Sequence, residues 1–209
     1  KIQQQAEDID LEFLAKDLPK LLNSMQTGCE RIVEIIQTLR NFSRADEAKI
    51  KTADIHEGLE STLLMLNSRL KAKPNWQGIK VIKEYGELPQ IKCHPGLLNQ
   101  VFMNVFANAI DALEESCSQA KNTANSIFPT IIIQTTTIDD KSILIRIKDN
   151  GQGIPEDQIV RLFDPFFTTK PVGKGTGLGL SISHQIVVEK HNGKLQCHSE
   201  PGKGTEFII

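Results

Sequence analysis

The chain has 209 residues, of which 39% are apolar and 24% charged, a balance of folded globular proteins and not of disordered or fibrous ones. Twenty-four Lys and Arg against 26 Asp and Glu leave a formal net charge of -2; with one Trp and one Tyr, this argues against a nonspecific nucleic-acid binder. No apolar run approaches the roughly 18 residues that span a bilayer, and no secretory leader is visible, so no membrane contact is expected.

The first predicted element is a long helix. Leu11, Leu14, Leu18, Leu21, Met25, Gly28, Ile32, Ile35, Leu39 and Phe42 alternate spacings of three and four, an a/d heptad seam. Leu22, Cys29 and Ile36 widen the seam, which suits a helical bundle. Pro19 fits a first turn, so the helix is expected over residues 17–43, about 40 Å long, and it needs partners to bury its seam. Residues 43–52 are polar and read as a hinge. Asp54 with Glu57 opens a second helix marked by Ile55, Leu59, Leu63, Leu66 and Leu70, and Lys73-Pro74-Asn75 breaks it. Strands are expected over 79–85 and 90–94, then a helix from Pro95 to about Glu115. Residues 116–129 read as a loop, and 130–138 with 142–148 as a hairpin. A Gly- and Pro-rich stretch leads to a helix over 180–191 stopped by Asn192-Gly193, then strands over 195–199 and 205–209. Hairpin connections imply antiparallel pairing, and three helices on one face would give an α+β fold, a two-layer sandwich preceded by a long bundle helix.

Four stretches carry chemistry. In the third helix, Gln100, Asn104, Asn108 and Asp111 fall at spacings of four, four and three, one polar face within an apolar helix. Amide oxygens are hard, neutral donors suited to a Mg²⁺ ion that keeps waters and holds phosphates, although a solvent-facing stripe would read the same. Asp149-Asn150-Gly151-Gln152-Gly153-Ile154-Pro155 puts a carboxylate at a strand end, able to accept from an exocyclic amine, beside two glycines that admit a ligand to the backbone. Phe163 to Lys170 is an aromatic, Pro-containing loop. Gly175-Thr176-Gly177-Leu178-Gly179 then runs into a helix, where bare N–H groups favour anions. It matches neither the P-loop nor the dinucleotide fingerprint.

In this order, the four stretches resemble the asparagine box (residues 100–112), first glycine box (149–155), phenylalanine box (163–170) and second glycine box (175–179) of sensor histidine kinases in two-component systems. These belong to the wider Bergerat-fold ATPases that also include gyrase. Gly202-Lys203-Gly204-Thr205 and the last strand resemble the family's closing element, and the early helix is similar to cyanobacterial examples. The resemblance implies a dimerisation domain helix over residues 1–50 and a catalytic ATP-binding domain over 51–209. It implies ATP and Mg²⁺ as cofactors, with Asp149 on the adenine amine, Gly153 beside the ring, and Asn108 assisted by Asn104 on the metal. Lys170 would face the phosphates from a lid, and Gly175, Gly177 and Gly179 would let that lid fold. Further nucleotide contacts are implied at Asp111, Gly151, Ile154, Phe166, Thr176, Leu178 and Thr205.

The family's phosphoacceptor is a histidine on the first bundle helix. His56 is followed by Glu57 but lies beyond the first heptad helix, so the acceptor is expected upstream. The chain opens on Lys1 and stops at Ile209 inside an apolar run, and is expected to be a piece of a longer, cytoplasmic protein acting as a homodimer on a response regulator receiver domain. Cys29, Cys93, Cys117 and Cys197 lack C-x-x-C spacing and are expected as free thiols, and the histidines lack zinc spacing. Two alternatives compete with kinase activity: an ATP hydrolase or serine kinase on the same fold, and a nonenzymatic dimerisation module. Those hydrolases and serine kinases carry a glutamate four residues before the metal asparagine, as a base. Asn104 occupies that place and cannot take a proton, whereas a neutral imidazole is already nucleophilic. The Asp, Asn and glycines of the boxes all stand, against a decayed module.

Overall fold

The computed structural model describes residues 17–22, 24–26, 50–72, 76–119, 128–139, 142–170 and 175–209. The chain divides into two compact units, residues 46–167 with 177–209 and residues 1–45 with 168–176.

The larger unit runs β1 (Lys51–Ala53), α1 (Ile55–Met65), α2 (Asn67–Leu70), β2 (Lys80–Tyr85), β3 (Ile91–Cys93) and α3 (Pro95–Gln119). It continues through β4 (Thr130–Asp139), β5 (Ser142–Asp149), α4 (Glu156–Ile159), α5 (Gly179–Gln185), a π-helical turn (Ile186–Lys190), β6 (Gln196–Glu200) and β7 (Gly204–Ile208). Helices and sheet form the expected α+β sandwich. Its core joins Val101, Phe102, Val105, Phe106 and Ile110 of α3 to Ile131, Ile133, Ile145 and Ile147 of the sheet and Leu59 of α1, all buried. The period-2 burial of β4 and β5 selects their inward residues, as the period near 3.6 does in α3.

The main sheet has the order β2-β4-β5-β7-β6. Antiparallel pairing holds for β4–β5, β5–β7 and β6–β7. It fails for β2, which runs parallel to β4 with Val81 opposite Ile131. Between them α3 acts as a crossover that returns the chain to the same end of the sheet. The expected hinge is also shorter than its composition suggests: Lys51 and Thr52 pair with Cys93 and Lys92 of β3 in a separate two-stranded sheet.

Asp54 caps α1, accepting from the His56 N–H at 2.8 Å. The helix breaks at Leu66 and restarts as α2. At the far end of α3, Ser116 and Ser118 donate to the Ala112 and Glu114 carbonyls, so their hydroxyls are satisfied within the helix, which runs past Glu115 to Gln119. The last helix ends in a π turn, with Asn192 at positive φ and the Gly193 N–H on the Val187 carbonyl at 2.9 Å.

In the smaller unit, residues 17–22 and 24–26 are helical, with Leu18, Leu21, Leu22 and Met25 exposed. The heptad seam over 28–42, the Lys73-Pro74-Asn75 break and Gly173 with Lys174 lie outside the described residues. No described helix is long and apolar enough to cross a membrane.

Candidate active site

Asp149 ends β5. Ile145 and Ile147 face the core, so the same alternation turns Asp149 inward, where it is 3% exposed. Its Oδ1 accepts from the Gly151 N–H at 2.8 Å and the Thr205 N–H at 3.3 Å. Burial pushes the carboxyl up to about 6, while these two amide bonds pull it down. Oδ2 has no hydrogen-bond donor among the described residues, which leaves its lone pairs for a ligand.

The turn after Asp149 is compressed. A Cβ on Gly151 would stand 2.9 Å from Asp149 Oδ1 and 3.0 Å from Ala112 Cβ of α3. Gly153 holds φ +73°, and a Cβ there would overlap the Glu200 carbonyl oxygen, so this position requires glycine twice over. The Ile154 N–H donates to Ser199 Oγ at 2.7 Å, and that hydroxyl lies 2.9 Å from Thr205 Oγ1. The first glycine turn is thereby docked on the β6–β7 hairpin, which brings Asp149, Gly151, Gly153, Ile154 and Thr205 together.

On α3, Asn104, Asn108 and Asp111 are half-buried. Asn104 Nδ2 donates to the Gly179 carbonyl at 2.9 Å and to Ser183 Oγ at 3.1 Å. Its amide nitrogen therefore fastens α3 to the start of α5, and only its oxygen is left to face a cation. Asp111 accepts from Arg69 Nη2 at 2.6 Å, and the same nitrogen donates to Glu114 Oε2 at 2.5 Å.

The second glycine stretch is split between the units. Gly177 holds φ +68° with no room for a Cβ against the Phe166 backbone, and Phe166 itself has φ +66° and an exposed ring. Phe163 and Phe167 anchor this loop instead: Phe163 packs on His184 at 5.0 Å between centroids, and the Arg161 guanidinium sits 4.7 Å over Phe167. Leu178 precedes α5 and accepts from Ser181 Oγ at 2.9 Å. Lys170, Gly175 and Thr176 belong to the smaller unit, where the Lys170 N–H donates to Thr168 Oγ1 at 3.2 Å.

A buried carboxylate at a strand end, a two-glycine turn and an amide-bearing helix face form one constellation, and residues 93–209 match the family described as Histidine kinase-, DNA gyrase B-, and HSP90-like ATPase. The chain belongs to this ATPase family. It is 32% identical over 193 residues to Sporulation kinase E of Bacillus subtilis (strain 168), covering 92% of this chain and 24% of that protein. It is 37% identical over 191 residues to Sensor histidine kinase ZraS of Escherichia coli (strain K12), covering 91% of this chain and 37% of that protein. The chain thus spans about a quarter to a little over a third of these relatives' length. Among solved structures, the nucleotide-free catalytic domain of histidine kinase ThkA matches with a TM-score of 0.61 at 25% identity, covering 77% of this chain and 93% of that one. Full-length ShkA in complex with AMPPNP shares the fold, with a TM-score of 0.68 at 21% identity, covering 91% of this chain and 37% of that one.

Three residues of this ATPase domain and its approach escape a reading of sequence: Ser183, Ser199 and Arg69. The serines look like ordinary strand and helix residues, and their roles arise only where the glycine stretches meet them. Arg69 sits on a helix upstream of the family match, and no local spacing links it to Asp111, 42 residues on.

Proposed function

We propose that this chain is the ATP-binding catalytic part of a sensor histidine kinase, transferring the γ-phosphate of ATP to a histidine for relay to a response regulator aspartate. The observation that supports it most is Asp149: a buried carboxylate with one oxygen held by two backbone amides and the other open to a donor such as the adenine amine. A nucleotide whose base lies there meets the Gly151–Gly153 turn, with Ile154 and Thr205 at its rim. Asn108, with Asn104 Oδ1 beside it, offers neutral oxygen donors that fit Mg²⁺ holding waters and phosphates. Bound there, the ion would supply charge neutralisation of the polyphosphate. Phe166, Lys170, Gly175, Thr176, Gly177, Leu178 and Gly179 are proposed as further nucleotide contacts on the resemblance.

Residues 1–50 are assigned to the dimerisation domain and 51–209 to the catalytic domain, in a cytoplasmic homodimer. The acceptor is proposed to lie upstream, since His56 follows the first heptad helix; its contacts support a structural role for it, with Nε2 2.9 Å from Thr135 Oγ1 and the ring stacked on Tyr85 at 4.4 Å. Asn104, an amide where a general base would be needed, favours histidine transfer over hydrolysis. Titration with ATP and GTP, each with Mg²⁺ and with EDTA, tests the site. ATP is expected to bind far better than GTP, whose base carries a carbonyl where adenine carries the amine; equal curves would refute the assignment. In the kinase assay, labelled phosphate on an added upstream helix should be acid-labile and base-stable, and acid-stable label on serine or threonine would refute the histidine reading.

A further inference from the structure

Beside Asp149, α3 carries three acids: Glu115 accepts from Gln152 Nε2 at 2.9 Å, and Asp111 and Glu114 are the two that a polyphosphate should avoid unless they are compensated. Asp111 lies one turn after Asn108 and immediately before Ala112, the residue packed on Gly151 next to Asp149. If the base lies at Asp149 and the metal at Asn108, the carboxylate of Asp111 stands at the level between them, where the ribose and first phosphates pass. Glu114 follows on the same face, three residues on. Two uncompensated carboxylates here would oppose a nucleotide carrying three or four negative charges.

Arg69 lies against both. Arg69 Nη2 donates to Asp111 Oδ1 at 2.6 Å and to Glu114 Oε2 at 2.5 Å, with Nε 3.4 Å from Glu114 Oε1. The three side chains are partly exposed, at 32%, 33% and 41%, so they are not sealed in the core. Arg69 arrives there because α1 breaks at Leu66: its own N–H bonds the Leu66 carbonyl at 2.9 Å, and the short α2 turns the guanidinium towards α3. A planar, five-donor fork can hold two carboxylates at once, which a lysine cannot do in the same way.

We infer that Arg69 is a positioning residue for the nucleotide site: it holds and neutralises Asp111 and Glu114, and so sets how strongly the site prefers phosphate-bearing ligands over the bare nucleoside. This rests on the ATP-binding reading above. A purely structural Arg69, pinning α2 to α3, would matter equally for every ligand.

The test uses the whole 209-residue chain. ATP, ADP and adenosine are titrated against wild type, Arg69→Met, Asp111→Asn and the double variant, with thermal melts in parallel. Arg69→Met should weaken ATP about three- to ten-fold and adenosine by less than about two-fold, with ADP between them. Raising salt to about 0.5 M should shrink the loss, since screening replaces the missing charge. Adding Asp111→Asn to Arg69→Met should recover ATP affinity. Asp111→Asn alone should raise the ratio of ATP to adenosine affinity, which keeps the question open to measurement should Arg69→Met not fold. Equal losses for ATP and adenosine, no recovery in the double variant, or an unchanged ratio in Asp111→Asn would overturn the inference while leaving ATP binding intact. Wild-type protein that binds neither ATP nor adenosine would remove the ATP-binding reading, and this inference with it.

Discussion

The Asn104 amide nitrogen and the Gly179 carbonyl oxygen, 75 residues apart in sequence, meet at 2.9 Å. This bond joins the helix that carries the metal-suited amides to the helix that follows the second glycine stretch. It also divides the roles of one side chain, because the NH₂ is spent on structure and the oxygen is left towards the site. Asn104→Asp would put a carboxylate oxygen against that carbonyl, two acceptors with no proton between them. We expect a loss of about 1–3 kcal/mol in folding stability, measured by urea denaturation, together with weaker Mg²⁺-dependent ATP binding. Unchanged stability would show that this contact does not form in solution.

Asp149 should trade stability for recognition. Its carboxyl is buried and pushed up to about 6 from 3.8, so the ionised form is disfavoured in the folded chain. The folded state then binds more protons than the unfolded one between those values, and this group's contribution to stability falls as pH rises from about 4 to about 6. Above that range the penalty is constant, on the order of 3 kcal/mol. Asp149→Asn should therefore be more stable than wild type at pH 7, and the difference should vanish towards pH 4. The same variant should bind ATP more weakly by about 1.5–3 kcal/mol, the loss of a charge-assisted bond. In wild type, ATP affinity should decline as pH drops through about 6. Denaturation curves paired with titrations at several pH values check both signs.

His191 forms a latch that works only when neutral. Its Nδ1 lies 2.9 Å from the Ile186 carbonyl, which fixes the tautomer, and its Nε2 accepts from the His94 N–H at 3.1 Å, just ahead of α3. Burial, opposed by the Ile186 bond and reinforced by neighbouring His94, holds its pKa below the usual histidine range. The unfolded chain thus takes up the proton first, so this stabilisation is present above about pH 6.5 and is lost as pH falls below it. His191→Ala should cost about 1–3 kcal/mol at pH 8, because the His94 amide loses its acceptor, and less at pH 5. A cost independent of pH would mean that the ring acts by packing alone.

His56 is expected to be a structural histidine. Its Nε2 faces Thr135 Oγ1, its ring stacks on Tyr85 at an interplanar angle of 11°, and Tyr85 in turn donates to Glu60. His56→Ala should destabilise the chain by about 1–2 kcal/mol and leave phosphorylation of an added upstream helix intact. Mass spectrometry after incubation with γ-labelled ATP should find no phosphate on His56. Stoichiometric label there would overturn the assignment.

Local periodicity determined much of this protein in advance. The spacing of Ile131, Ile133, Ile145 and Ile147 makes β4 and β5, and it carries Asp149 inward at the end of the second strand. The apolar rows of α3 similarly put Asn104, Asn108 and Asp111 on one remaining face. Such patterns are legible because a side chain's direction in a helix or strand depends on its neighbours within a few residues. Tertiary structure alone decided the parallel pairing of β2 with β4, the pairing of β1 with β3, and the partner of each polar group. That Asn104 spends its nitrogen on Gly179, that Ser199 takes the Ile154 amide, and that Arg69 lies between Asp111 and Glu114 are distances between segments remote in sequence. No spacing encodes them, because a hydrogen bond depends on where two folded elements dock, and docking is set by the shape of the whole core.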